Sequence, residues 1–169
     1  MRVGTRSLLY GAHCWFLHPF FTAWAWWKLY GPPLDPRLWF AFFLHDIGYW
    51  GSSNMDGPEG ERHPEVGAHI MGCLFGRRWF DLCLYHSRYY SKRAGRSFSR
   101  LCVADKLSPA LEPRWLYLMR VKATGEVLEY SAGRPSIDDW YAEFRSYMRK
   151  WVYAHRDGEE DTWTRAREE

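Results

Sequence analysis

Phe42-Phe43-Leu44-His45-Asp46-Ile47-Gly48-Tyr49 is the stretch around which the rest of the chain is organised. A run of large apolar residues leads here to an adjacent histidine and aspartate, and a glycine follows. Imidazole and carboxylate groups are natural ligands of a divalent metal ion. A single His-Asp pair occurs by chance in many chains, so its neighbours decide its meaning. Further candidate ligands lie on both sides of it: His13, His18, His63, His86 and Asp105.

The composition is that of a chain that can bury a bulky core. The chain has 169 residues, 19% of them aromatic, including 11 Trp. This length suits one domain, which we expect over residues 1–156, with a charged and flexible tail at 157–169. The net charge of +3 is too small to indicate nucleic-acid binding, and we expect none.

The four cysteines indicate a reducing compartment. They form no Cys-x-x-Cys pair and sit among apolar neighbours, which favours buried free thiols over disulfides. We therefore expect a cytoplasmic protein. The cysteines are Cys14, Cys73, Cys83 and Cys102.

The longest apolar runs, 20–27 and 38–44, are too short to cross a bilayer, which takes roughly 20 residues. They indicate core helices instead. On this interpretation the tryptophans of these runs belong to the core, while stacking on a nucleobase and peripheral contact with a membrane are the weaker alternatives. These tryptophans are Trp24, Trp26, Trp27 and Trp39.

Helical signals separated by Gly and Pro run through the chain, without strand-like alternation, and predict an all-α fold. The segment 36–46 is apolar all round, which is typical of a central buried helix. In this pattern His86 lies inside a helix and Pro109 ends the next one. The predicted helices are 7–17, 20–30, 36–46, 64–75, 79–89, 98–108, 115–132 and 137–155.

Two histidines compete to be the first ligand. In an antiparallel hairpin of helices 20–30 and 36–46, His45 lies roughly 14 Å beyond the start of the second helix. His18 lies roughly 18 Å before the end of the first helix, and His13 roughly 25 Å before it. The spacing slightly favours His18, but the proline after it leaves the local backbone open. We keep both, and expect one to bind metal and the other to support it or contact substrate.

Three further contexts carry a resemblance to a known family. They are His-Pro-Glu-Val-Gly-Ala at 63–68, Tyr-His-Ser at 85–87 and Ala-Asp-Lys-Leu-Ser-Pro at 104–109. Together with the His-Asp pair, on a helical chain of this length, the series resembles the HD superfamily of metal-dependent phosphohydrolases over residues 10–112. It is most similar to the small bacterial branch that hydrolyses diadenosine tetraphosphate symmetrically. The His-Pro-x-x-Gly form is also similar to the cyclic-dinucleotide phosphodiesterase branch.

The resemblance implies an HD-domain helical bundle with additional C-terminal helices and a site for two divalent ions. His45 and Asp46 would be the catalytic pair, with Asp46 bridging the ions. Mixed imidazole and carboxylate ligands suit Fe, Mn, Zn, Ni or Co alike. Tyr49 stands where the family often has Lys, which departs from the pattern. The implied ligands are His45, Asp46, Asp105 and either His13 or His18 in one site, with His63, His86 and Asp46 in the other.

A basic segment follows His86 and favours an anionic substrate. Five cations fall within 13 residues, and residues 82–104 contain no acid. A solvated surface is the plainer alternative, and for Lys106 an ion pair with Asp105. The five cations are Arg88, Lys92, Arg93, Arg96 and Arg100; of these and Lys106, we expect Arg88, Lys92, Arg93 and Lys106 to bind phosphate.

These observations predict hydrolysis of a phosphoester or phosphoanhydride bond in a nucleotide or dinucleoside polyphosphate by a metal-activated water. A non-catalytic HD-domain sensor that binds a nucleotide is the first alternative. A mononuclear nucleotidase acting on deoxynucleotides is the second, and it would use only the first ligand set. Turnover distinguishes the sensor, and metal stoichiometry distinguishes the mononuclear enzyme.

Overall fold

The computed structural model describes residues 1–131 and 136–157. These residues form ten α-helices and two short 3-10 turns, with no β-strand among them, which confirms the all-α prediction. The tail predicted at 157–169 lies outside the described residues, apart from Asp157. The helices are α1 (Val3–Tyr10), α2 (His18–Tyr30), α3 (Pro36–Leu44), α4 (Pro64–Phe75), α5 (Arg77–Leu84), α6 (Arg88–Arg93), α7 (Arg100–Leu111), α8 (Arg114–Thr124), α9 (Val127–Tyr130) and α10 (Ile137–His155).

The main core lies around α7, and the prediction that 36–46 forms the central helix is wrong. Eight of the twelve residues of α7 are buried, whereas only Ala41 and Phe42 are buried in α3. Helix α3 contacts α2 and α4 on its inner side and leaves its other side at the surface. An apolar composition all round therefore does not place this helix at the centre.

A second, smaller core joins α8, α9 and α10. It contains stacked aromatic rings, among them Tyr117 and Tyr141, whose centroids are 5.1 Å apart. Helix α8 also packs against α1. The C-terminal helices thereby contact the N-terminal segment that precedes the first candidate ligands.

The first helix ends earlier than the 7–17 prediction because Gly11 meets a buried carboxylate. A Cβ atom at Gly11 would collide with Oε1 of Glu126. The backbone N–H of Ala12, which follows, donates to that carboxylate at 3.2 Å from Oε2 and 3.3 Å from Oε1. The chain therefore leaves the helix here to bind Glu126, which lies between α8 and α9.

Two other helix boundaries differ from the sequence prediction. His86 does not lie inside a helix, since α5 ends at Leu84 and α6 begins at Arg88. Pro109 does not end α7, which continues through it to Leu111. A proline has no N–H to donate to the carbonyl of Asp105, and the hydroxyl of Ser108 donates to that oxygen instead, at 2.8 Å.

Burial differs from expectation at two tryptophans and one cysteine. Trp26 is buried as predicted, but Trp24 is 42% exposed and Trp27 is 60% exposed. All four cysteines are free thiols, yet Cys73 is exposed on α4. The outer faces of α2 and α4 thus carry residues that the sequence assigns to a core.

Among the described residues, no helix is both long enough and apolar enough to cross a membrane.

Candidate metal centre

The candidate ligands come from five separate segments of the chain. His18 opens α2, and His45 and Asp46 follow directly after α3. His63 is the residue before α4, while the last two ligands lie in the break between α5 and α6 and within α7. His18 and His63 are each followed by a proline in the first turn of a helix, where its missing N–H costs nothing. The last two ligands are His86 and Asp105.

Four side chains form a first set in which every ligand atom is close to the others. Nε2 of His18 lies 3.0 Å from Oδ1 of Asp105 and 3.3 Å from Oδ2 of Asp46. Nε2 of His45 lies 3.1 Å from the same Asp46 oxygen and 3.2 Å from Nε2 of His18. Atoms bound to one ion at about 2.1 Å stand about 3.0–3.4 Å apart, so these distances fit a shared metal ion.

A second set uses the other oxygen of Asp46. Oδ1 of Asp46 lies 3.3 Å from Nε2 of His86 and 3.5 Å from Nε2 of His63. The two imidazole nitrogens are 3.0 Å apart. Asp46 therefore presents one oxygen to each set.

Backbone carbonyls fix three of the four rings with Nε2 towards the centre. Nδ1 of His45 donates to the carbonyl of Phe42 at 3.0 Å, and Nδ1 of His63 donates to the carbonyl of Gly60 at 2.6 Å. Nδ1 of His86 donates to the carbonyl of Cys83. A proton on Nδ1 leaves a lone pair on Nε2, which is the form that binds a metal.

The unpaired atoms at the centre fit a divalent cation. Oδ2 of Asp46 is buried and has no partner in hydrogen-bond geometry, despite its close imidazole neighbours. Two pairs of Nε2 atoms face each other at 3.0 and 3.2 Å. Lone pairs held that close repel unless a proton or a cation lies between them. These buried histidines and aspartates could therefore hold a metal ion.

The two carboxylates make the centre favour positive charge, which a proton on His45 supplies unless a metal ion displaces that proton. Burial lowers the pKa of His45, but the charges of Asp46 and Asp105 outweigh burial and raise the pKa to about 10. Burial favours protonated Asp46, but His45 and other histidines outweigh it and hold the pKa of Asp46 well below its usual range. Burial and the charge of His86 hold the pKa of His63 well below its usual value. Asp46 is thus a carboxylate and His63 is neutral, as ligands must be.

His13 lies beside the first set but outside it. Its ring centroid is 5.7 Å from that of His18, and its Nδ1 is 2.8 Å from the hydroxyl of Ser7. That hydroxyl donates to Oε2 of Glu126 at 2.9 Å. The structure thus brings His18 into the ligand cluster and connects His13 to Glu126 through Ser7.

Tyr49 and Gly48 shape the side of the centre near His63. The Tyr49 ring stacks on His63 with centroids 4.1 Å apart and contacts His13 at 4.6 Å. A Cβ atom at Gly48 would collide with the carbonyl oxygen of His63. Only glycine allows this close approach.

The cations predicted to bind phosphate divide into two groups. Lys106 lies at the centre, with Nζ 3.0 Å from Oδ2 of Asp105. Burial raises the pKa of Glu61. The positive charges of Lys106, Arg88 and Lys92 oppose that rise. Arg93 points elsewhere and donates to the hydroxyl of Tyr89 at 3.2 Å.

The two remaining cations of the basic segment also have partners away from Lys106. Arg96 pairs with Asp81 at 3.4 Å. Arg100 lies over the ring of Tyr30, 5.1 Å from its centroid. The basic segment is therefore not one continuous anion site.

Sequence reasoning missed several groups that hold the candidate ligands. Ser108 places its hydroxyl 3.4 Å from Nδ1 of His18, and Thr22 places its own 3.4 Å from Nε2 of the same ring. Helical spacing from His18 identifies Thr22 four residues later. Nothing in the sequence pairs Ser7 with Glu126, since 119 residues separate them.

Comparisons of the chain with protein-family models, with curated proteins and with solved structures found no match. The assignment of this centre rests on its own geometry.

Proposed function

We propose that the chain is a metal-dependent phosphohydrolase of the HD type. Its substrate would be a phosphoester or phosphoanhydride in a nucleotide or a dinucleoside polyphosphate. The observation that carries the proposal is Asp46, whose two oxygens face two different sets of buried histidines. A carboxylate in that position could contact two ions, an arrangement that many enzymes that hydrolyse phosphate esters use.

Two divalent ions in these sets would lower the pKa of a water molecule and withdraw charge from a phosphoryl group. The chain's own residues supply the positioning. The carbonyls of Phe42 and Gly60 hold His45 and His63 in place, so that little reorganisation is needed when substrate arrives.

Binding of the anionic substrate falls to the cations near the centre. Lys106 has three N–H donors, one of which is used by Asp105, so the others can contact phosphate oxygens. Arg88 and Lys92 add positive charge that acts, with that of Lys106, on the Glu61 carboxyl, and such charge attracts a polyanion. Tyr49 stands where the family often has a lysine, and its ring stacks on His63 and shapes that side of the centre.

The nucleotide-binding sensor and the mononuclear nucleotidase remain the competing functions. The sensor shares the ligand centre and differs only in turnover. The mononuclear enzyme would leave His63 and His86 without a metal, although their Nε2 atoms converge on Oδ1 of Asp46. This convergence favours the two-ion enzyme.

The experiment is metal analysis and turnover on the same protein samples. Protein purified without chelator, and protein reconstituted with iron or manganese, is assayed against dinucleoside polyphosphates, nucleotides and cyclic dinucleotides. We expect close to two ions per chain and release of product. Asp46→Asn should lose both ions and lower turnover at least about a hundredfold, because the bridging charge serves both ions.

Asp138→Asn on α10 is the matched control, since this aspartate forms a surface pair with Arg114. It should retain metal and activity. One ion with activity on deoxynucleotides would favour the mononuclear enzyme, and nucleotide binding without product would favour the sensor. An Asp46→Asn protein with unchanged metal content and turnover would contradict the proposal.

A further inference from the structure

The surface of α2, α3 and the turn before α2 carries several exposed aromatic side chains. Six of them, between 40% and 65% exposed, form what we call the aromatic face: Trp15, Phe16, Phe20, Trp24, Trp27 and Phe40. None belongs to the candidate metal centre.

Helix α2 buries Trp26 but exposes three other large aromatic side chains. Its buried side includes the small residues Thr22, Ala23 and Ala25, whereas Phe20, Trp24 and Trp27 point outwards. The outward residues are spaced by four and three positions and therefore lie on one stripe. Large apolar residues normally occupy the buried side of a helix. A contiguous exposed stripe of them is typical of an interaction surface.

Ring contacts make the aromatic face continuous from α2 to α3. Phe20 contacts Phe43 at a centroid distance of 5.8 Å, and Trp15 contacts Phe43 at 5.5 Å and Phe16 at 5.6 Å. Phe40 lies one turn before Phe43 on α3, and its ring contacts Phe75 of α4 at a centroid distance of 5.5 Å. Phe43 thus connects the exposed rings of the turn before α2 with Phe20 on α2.

The area of the aromatic face matches one side of a protein interface. An aromatic side chain offers about 200 Å², so the six residues leave on the order of 600 Å² of aromatic surface in water. Monomeric proteins rarely expose patches larger than a few hundred Å². Two such faces in contact would bury on the order of 1,200 Å², which is the lower bound for a stable specific interface.

The charges beside the aromatic face favour a second copy over a lipid surface. Arg37 at the start of α3 lies over the ring of Trp79 on α5 and is neutralised by Asp35, with Nη2 2.7 Å from Oδ2. The one cation over this face within the described ranges is Lys28, 5.4 Å from the Trp24 ring centroid. Cations around an apolar patch strengthen its attraction to an anionic membrane, and Lys28 alone supplies little of that attraction.

From the area and this charge balance, we propose that the aromatic face is the interface of a homodimer. The same surface on both copies forms a two-fold contact, and neither copy needs a charged partner. The interface does not depend on any catalytic activity of the metal centre.

Sedimentation velocity across a wide concentration range tests the proposal with the full chain. The wild type should form a dimer. Trp24→Glu and Phe40→Glu should each raise the dimer dissociation constant by at least about thirtyfold, as expected for aromatic residues central to an interface. The matched control is Trp115→Glu on α8, where the tryptophan is 69% exposed, and it should leave the dimer intact.

Far-UV circular dichroism and metal content confirm that each variant is folded. Trp27→Ser provides a milder substitution if a glutamate variant loses its helices. A wild type that is monomeric at every concentration overturns the proposal, and so does a monomer that binds lipid vesicles. A dimer that Trp24→Glu, Phe40→Glu and Trp27→Ser all leave unchanged overturns it equally.

Discussion

His13 and His18 carry the same side chain five residues apart, yet their rings have different partners. His18 presents Nε2 to two carboxylates, whereas Nδ1 of His13 faces the Ser7 hydroxyl. Since that hydroxyl donates to Glu126, the proton between Ser7 and His13 belongs to the histidine. Burial lowers the pKa of His13 to about 4, although Asp46 opposes the effect. His13 is therefore neutral at pH 7, and its Nδ1 is hydrogen-bonded to the Ser7 hydroxyl.

This difference predicts that the two histidines respond differently to substitution. His18→Ala should weaken metal binding more than about tenfold, because it removes a donor that touches both carboxylates. His13→Ala should retain the wild-type metal content, since its ring lies outside both ligand sets. Elemental analysis after dialysis against a graded series of chelator concentrations measures both effects.

His69→Ala is the control for the removal of a histidine, because His69 is exposed on α4 and contacts the carbonyl of Glu65 and the ring of Phe80, away from both ligand sets. It should match the wild type in metal content. The ligand assignment would be wrong if His13→Ala lost metal while His18→Ala kept it.

At the scale of helices, the centre depends on a close approach between α3 and α4. Gly67 lies against the end of α3, and a Cβ atom there would collide with the carbonyl oxygen of Leu44 and crowd the Cα of His45. The two helices can therefore touch next to the His-Asp pair. This contact fixes the distance between His45 and the start of α4.

Gly67→Ala should consequently destabilise the protein by about 1–3 kcal/mol, the usual range for overpacking. Alanine is the better helix former by about 1 kcal/mol, so propensity alone predicts the opposite sign. Urea denaturation measures the free energy of unfolding. Metal affinity should fall as well, because α4 carries His63 at its start.

Cys73→Ala on the same helix is the control, since this thiol is exposed, and it should change stability by less than about 0.5 kcal/mol. A Gly67→Ala protein more stable than the wild type would mean that the helices separate without cost.

Helix boundaries can be predicted from the sequence where glycine or proline marks them. The prediction for α4 was accurate because a proline stands at its start and Gly76 follows its end. The break around His86 was missed because residues 84–88 contain neither glycine nor proline. At this break the carbonyl of Tyr85 accepts from the backbone N–H of Ser99 at 2.8 Å, a contact between distant residues that no local pattern reveals.

Across the whole molecule, a buried ion pair connects the C-terminal helices to the N-terminal segment. Arg120 on α8 binds both oxygens of Glu112 and also donates to the carbonyl of Gly11. Arg120 and Glu112 are each at most 5% exposed. The pair holds the turn that leads from α1 to His13.

Arg120→Leu should cost about 3–5 kcal/mol of unfolding free energy, because it leaves the Glu112 carboxylate buried without a partner. The double variant Arg120→Leu/Glu112→Leu should recover most of that loss, since both charges are then absent. Thermal and urea denaturation of the wild type, Arg120→Leu, Glu112→Leu and the double variant form a double-mutant cycle. Equal losses in the single and double variants would show that the arginine acts through packing.

The candidate ligands could be proposed from the sequence because each stands in its own short context. The residues that surround these ligands could not be predicted, since the contact of Ser7 with Glu126 joins positions 119 residues apart. The sequence also does not indicate that Trp24 and Trp27 point outwards. Hydrophobicity alone cannot distinguish a residue covered by its own chain from one that is covered by another.

The five segments that supply the ligands span residues 18–105 and meet only in the folded chain. An ion held there would bind the native state and not the unfolded one, so its concentration would add to stability by mass action. Loss of the ion would raise the population of open forms that proteases cut. The cellular abundance of the protein would then follow the supply of its metal, and starvation for that metal would remove the polypeptide itself.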